Sequence, residues 1–151
     1  MIDLNQLQII GEAVITEGAI LRTRVGGYSM FPYVQQNDIA WIEKIDAPLL
    51  IGDIIVFKAG SKIVAHRLLK FTKVGTDIKL LCKGDSCWRM DAPVDRMNVV
   101  GKITQIERNR KKTDLTTPRQ RKKALIIARL TFITPITYLT VRVINKLSKI
   151  L

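Results

Sequence analysis

Apolar residues gather in six short runs of this chain, some alternating with polar ones and some unbroken: Ala19–Val25, Asp38–Ile45, Asp53–Lys58, Ile63–Phe71, Asp77–Lys83 and Asn98–Glu107. Each run is rich in β-branched or aromatic residues and is bounded by a turn-forming cluster such as Gly-Gly, Asp-Ala-Pro, Ala-Gly-Ser or Gly-Asp-Ser. That combination predicts short strands joined by tight turns. Ahead of them the period changes. Leu4, Leu7, Ile10 and Val14 recur at helical spacing behind Asp3, a capping residue, which predicts a short amphipathic helix closing near Gly18. The expected fold class is therefore mostly β, over residues 1–107, with a short N-terminal helix.

Beyond residue 107 the pattern breaks. Residues 108–123 read RNRKKTDLTTPRQRKK, a polar stretch in which Pro118 opposes a continuous helix, and the expectation is a basic linker. Residues 124–151 turn apolar again. A membrane-spanning helix needs roughly 20 apolar residues, and Arg129, Pro135 and Arg142 interrupt this segment. From Ile136, Leu139, Val143, Leu147 and Ile150 recur at steps of three and four, with Arg142, Lys146 and Lys149 on another side. An amphipathic tail on a membrane surface fits this pattern. Packing on the domain's own sheet, packing on a second subunit in a homodimer, and a true span are the other readings.

Charge sharpens this division. The net charge is +12 over 151 residues, but residues 1–107 carry 13 Lys/Arg against 12 Asp/Glu, and residues 108–123 carry eight against one. The basicity belongs to the tail, which suits an anionic membrane surface or a polyanion. Nucleic-acid binding through Arg108–Lys123 would be nonspecific, because that stretch has no aromatic residue for base stacking. Two cysteines, Cys82 and Cys87, are too few for a disulfide framework and read as reduced thiols, although one bridge between them is feasible. With a single His, a Cys/His zinc site would have at most three ligands, so no metal or cofactor is expected. Met1–Gln8 lacks the basic and apolar blocks of a signal peptide.

The chemistry concentrates in Gly26-Gly27-Tyr28-Ser29-Met30-Phe31-Pro32. A Ser between a Gly pair and a Pro sits in a constrained turn, where its hydroxyl is exposed and backbone N–H groups converge, as an acyl-transfer nucleophile requires. On its own, such a stretch equally describes an ordinary turn. Further along come Gly52-Asp53-Ile54-Ile55-Val56-Phe57, then Val64-Ala65-His66-Arg67-Leu68, then Lys83-Gly84-Asp85-Ser86, with Asp91 six residues past Asp85.

These four blocks, in this order from Gly27 to about Gly101, resemble the signal peptidase I superfamily, which also holds the LexA-like self-cleaving repressors. The His-Arg pair at the position of the general base resembles the archaeal and endoplasmic-reticulum branch, where other members carry Lys. The resemblance implies a signal-peptidase-like β domain and a serine endopeptidase with Ser29 as nucleophile and His66 as base. It also implies an acid that orients His66: Asp91 by the family's spacing, with Asp85 structural or supporting. Independently of the resemblance, a neutral imidazole suits deprotonation of a Ser hydroxyl near neutral pH, and His66 is the chain's one histidine. Lys58, Lys62 and Lys70 would need costly desolvation for that role. Asn37-Asp38 stands where the family has a second Gly-Asp, and Gly27 lacks a hydroxyl that some members use at the oxyanion, which leaves the Ser29 N–H as main donor.

The expected substrate is a leader or precursor peptide bound extended along a strand edge. A regulator or scaffold with the LexA-like fold but no protease activity is the alternative. Against it, 28 residues before Ser29 are too few for a helix-turn-helix unit, and no Ala-Gly or Cys-Gly pair precedes Ser29. The family's N-terminal anchor has no counterpart here, and the basic tail places the catalytic part on the cytoplasmic face of a membrane.

Overall fold

Four consecutive apolar residues, Ile54-Ile55-Val56-Phe57, cannot all face one side of a strand, so the strand holding them must be covered on both faces. The computed structural model, which describes Gly11, residues 13–15 and residues 17–131, has that arrangement. Strand β3 (Ile54–Ala59) sends Ile54 and Val56 into one core with Ile15, Met30, Val34, Ile42 and Ile103, and Ile55 and Phe57 into another with Leu49, Leu68, Leu80 and Cys82.

Around β3 the described residues form a seven-stranded sheet in which neighbouring strands pair antiparallel. The other strands are β1 (Leu21–Arg24), β2 (Ile39–Glu43), β4 (Lys62–Val74), β5 (Asp77–Lys83), β6 (Val99–Arg108) and β7 (Lys111–Asp114). Their order is β1-β2-β6-β3-β4-β5, with β7 added to the far half of β6. β6 thus serves two neighbourhoods: its first half pairs with β3 and its second with β2 and β7. Register shifts at Trp41/Ile42, Val56/Phe57 and Leu68/Lys70 bend the ladders, as bulges do, and let one sheet enclose two cores. All six expected strands are present within a few residues of their expected ends.

The N-terminal helix is seen in part. Residues 13–15 are helical and end in a left-handed glycine, Gly18 (φ 84°), with Glu17 N–H donating to Ala13 O at 3.0 Å. Asp3, Leu4, Leu7 and Ile10 lie outside the described residues.

The stretch read as a basic linker, 108–123, instead carries the end of β6, all of β7 and the start of a helix, α1 (Pro118–Thr131). Two local features made it look unstructured. The β6–β7 hairpin turns through Asn109 (φ 51°) and Arg110 (φ 64°), left-handed at both centre positions as a tight hairpin requires, without a glycine to signal it. Pro118 does not break the helix but opens it, at the first position where no N–H is needed. The helix then docks through small residues. Ala124, Ala128 and Thr131 are buried, and Gly52 (φ 94°) lies so close that a β-carbon there would sit 2.9 Å from the Ala124 carbonyl carbon.

Polar ties complete the docking. Arg121 pairs with Asp53 and donates to Ile51 O, the Tyr33 hydroxyl donates to Gln120 Oε1 at 3.0 Å, and Lys83 Nζ donates to Thr131 O at 2.7 Å. The domain boundary expected at residue 107 therefore moves: residues 108–131 belong to the β domain, and a chain cut after Glu107 would lose part of its own packing. The apolar stripe from Ile136 to Ile150 lies outside the described residues. Among the described residues no helix is long and apolar enough to cross a membrane.

Candidate active site

Ser29 belongs to a run of turns between β1 and β2, in which Phe31 N–H donates to Tyr28 O (3.0 Å) and Val34 N–H to Met30 O (2.9 Å). Met30 and Val34 are buried in the first core and anchor the turn from below. Gly27 adopts φ 91°, which admits the chain into the turn and which a side chain would strain. Ser29 itself is half-buried, on the wall of a cleft of about 250 Å³. One side of the cleft is residues 23–27, the other Ile63, Val64 and Ala65 of β4, and its floor includes Met30, Ile42 and Val56.

His66 and Arg67 are neighbours on β4, so alternation sends them to opposite faces. His66 lies edge-on to Phe57, with ring centroids 6.1 Å apart. Its Nδ1 meets Asp91 Oδ2 at 2.7 Å. Arg67, fully buried, donates through Nε to Asp85 Oδ1 at 2.7 Å and through Nη2 to Asp85 Oδ2 at 2.6 Å, with Nη1 on Gly52 O at 2.8 Å. Its guanidinium also sits 4.9 Å from the Tyr33 ring centroid. The two carboxylates are thus separated by role: Asp91 faces the imidazole, and Asp85 neutralises a cation that would otherwise be buried alone.

Both aspartates arrive on the loop after β5, which is tied down at several points. Asp91 N–H donates to Cys82 O (2.9 Å), and Leu80 and Val94 exchange backbone hydrogen bonds at 2.8 Å. The same loop clamps the serine turn: Ser86 N–H donates to Ser29 O at 2.9 Å and Ser86 Oγ to Tyr28 O at 2.6 Å. Gly84 is the point of convergence. A β-carbon there would lie 2.7 Å from Ser29 O and 3.1 Å from His66 Nε2, so any larger residue would push the serine turn and the imidazole apart.

Among the described residues the imidazole's hydrogen bond runs to Asp91 and not to Ser29 Oγ, with the Cys87 thiol beside its Nε2 edge. Burial disfavours the charged ring, but its hydrogen bond to Asp91, its contact with Cys87 and the nearby negative charge outweigh burial and hold the His66 pKa at about 9. Cys87 is a site residue that the sequence reading missed. Its place in Gly84-Asp85-Ser86-Cys87, four residues before Asp91, was the available signal, but nothing in that spacing says which way the thiol points.

The Asp residues of the two remaining family-like blocks have turn roles. Asn37 (φ 71°) and Gly52 (φ 94°) each precede an Asp whose carboxylate accepts the N–H three residues back, Gln35 for Asp38 (2.8 Å) and Leu50 for Asp53 (2.9 Å). Asp38 is further held by Arg108 in two hydrogen bonds of 2.8 and 2.7 Å. A left-handed residue followed by Asp is the physical content of both blocks, and Asn fills the first place because it tolerates that conformation.

No family model matches this chain, and no curated protein matches it in sequence. The resemblance to signal peptidases rests on the residues named above.

Proposed function

We propose that the protein is a serine endopeptidase of the signal-peptidase-like class, cleaving a leader or precursor peptide through an acyl-enzyme on Ser29. The observation that carries this reading is the 2.7 Å contact of His66 Nδ1 with Asp91, which turns Nε2 of the same ring toward the clamped serine turn. In the reaction, Nε2 takes the Ser29 hydroxyl proton as Oγ attacks the scissile carbonyl. The Ser29 N–H supports the oxyanion, and the imidazolium, held by Asp91, then protonates the leaving amine. Water completes hydrolysis by the same route. Asp85 acts at a distance by fixing Arg67 and with it the loop that bears Asp91.

The cleft favours an extended peptide. β1 pairs with β2 alone, and residues 62–66 of β4 pair with β3 alone, because the β4–β5 ladder begins at Arg67. Among the described residues, two unpaired strand edges therefore border the cleft beside Ser29, suited to strand addition with side chains alternating into the apolar floor. The test is a fluorophosphonate probe on the full chain. Wild type is expected to label stoichiometrically at Ser29 and Ser29→Ala not at all; equal labelling of the two would remove the reading.

An anionic membrane surface is the proposed partner of the tail, on the cytoplasmic face. Leu125, Ile126 and Leu130 are exposed along α1 among Arg119, Lys122, Lys123 and Arg129, and each such cation near an anionic leaflet contributes about 1 kcal/mol. Replacing the three apolar residues by Ser is expected to weaken cosedimentation with phosphatidylserine vesicles about tenfold or more. Unchanged sedimentation would take α1 out of any membrane contact.

A further inference from the structure

The imidazole at the centre of the site has a thiol beside it as well as the serine turn. Its Nδ1 is taken by Asp91 at 2.7 Å. On the Nε2 side, at Gly84, a β-carbon would lie 2.6 Å from Cys87 Sγ and 3.1 Å from Nε2, so thiol and ring nitrogen flank the same point. The turn that presents Cys87 is closed by its own N–H donating to Gly84 O at 2.9 Å, and Ser86, next to it, is bound to the Tyr28 and Ser29 carbonyls. Thiol, imidazole and carboxylate thus lie side by side around Gly84, the grouping from which a base can activate a nucleophile. Cys87 is half-exposed. Cys82, the chain's other cysteine, is fully buried, and burial pushes its thiol up to about 12, so the protein carries its own inert control.

We propose that Cys87 is a modification site for low-molecular-weight disulfides, activated by His66, and that its modification withdraws the base from Ser29. The second clause rests on the peptidase reading; the first does not. In the step, His66 Nε2 takes the Cys87 proton and Sγ attacks one sulfur of R–S–S–R. The Sγ–S bond forms as the S–S bond of the reagent breaks, and the departing thiolate recovers the proton from His66. Cys87 is oxidised to a mixed disulfide and one RS group is reduced to RSH. The group added to Sγ then fills the space in front of Nε2, the nitrogen through which Ser29 would be deprotonated.

The test uses the reduced full chain and dithiodipyridine, with thione release followed by absorbance and the adduct mapped by mass spectrometry. Cys87 is expected to react at least about tenfold faster than Cys82, about tenfold slower in His66→Gln than in wild type, and within about twofold of wild type in Ser29→Ala. A folded His66→Gln protein reacting at the wild-type rate would overturn the proposal. Should that variant fail to fold, Asp91→Asn decides by the same criterion, with a several-fold slower reaction expected.

The second readout is fluorophosphonate labelling of Ser29. It is expected to fall at least about tenfold in the Cys87 adduct, to return with dithiothreitol, and in Cys87→Ala to be unmoved by the disulfide. Undiminished labelling of the adduct overturns the switch. Absence of Ser29 labelling in the reduced wild type would overturn the peptidase reading instead, and the Cys87 rates would still decide the exchange site.

Discussion

Replacing His66 by Ala is expected to slow acylation of Ser29 by about a hundred- to ten-thousand-fold without unfolding the protein, the range associated with losing a positioned general base. Asp91→Asn should follow in the same direction by at least about a hundredfold, because the amide can neither hold the productive tautomer nor face an imidazolium. Fluorophosphonate labelling rates, with circular dichroism as the fold control, decide this. Near-normal labelling of His66→Ala would transfer the base to another group.

The same pair sets a pH dependence. With a His66 pKa of about 9, only about one ring in a hundred is neutral at pH 7. The labelling rate should therefore climb close to tenfold per pH unit from 7 and level off above 9. A profile flat from pH 7 upward would contradict it. Stability runs the other way. The folded pKa lies above the ordinary value near 6.5, so the charged pair stabilises fully below pH 6.5 and its contribution, on the order of 3 kcal/mol, is lost as pH rises through 9.

Asp85→Ala is the change expected to cost the fold most, about 3 to 5 kcal/mol, because Arg67 is left as an uncompensated charge with no exposed surface. Stability of the whole domain is of the order of 5 to 15 kcal/mol, so a large fraction would go. Urea denaturation measures it. The companion variant separates charge from packing: Arg67→Met with Asp85→Leu removes both partners and should recover most of the loss. If Asp85→Ala instead left stability unchanged and abolished Ser29 labelling, Asp85 and not Asp91 would be the acid of the site. Asp91, a quarter exposed and bonded to an imidazole, should show the opposite balance, with a large loss of reactivity and a small loss of stability.

The strands were legible because their signal is local. Asp77–Lys83 is bounded alike in sequence and structure, and the double-sided burial of β3 could be read from its unbroken apolar run. β7 and α1 were not legible, since neither follows the periodicity rules. The strand Lys111–Asp114 carries no apolar alternation and exists because β6 offers it an edge. The helix hides its buried face in Ala124, Ala128 and Thr131, residues too small to mark a stripe, while Leu125, Ile126 and Leu130 point outward. What makes that face a docking surface is Gly52, some seventy residues away.

By itself the sequence determined the β class, the candidate serine and histidine, and the pair of carboxylates from which an orienting acid would come. It left open which carboxylate does the orienting. Which of them meets the imidazole was decided in three dimensions, by the two-residue pleat of β4, which turns His66 to the face of Phe57 and Arg67 to the opposite one, and by the ties that bring one aspartate to each. The nearness of Cys87 to Nε2 was likewise decided there, because it depends on how the loop after β5 folds back over the serine turn. Residue type and period are properties of the chain alone. Which side chain meets which across a loop is a property of the packing that closes it.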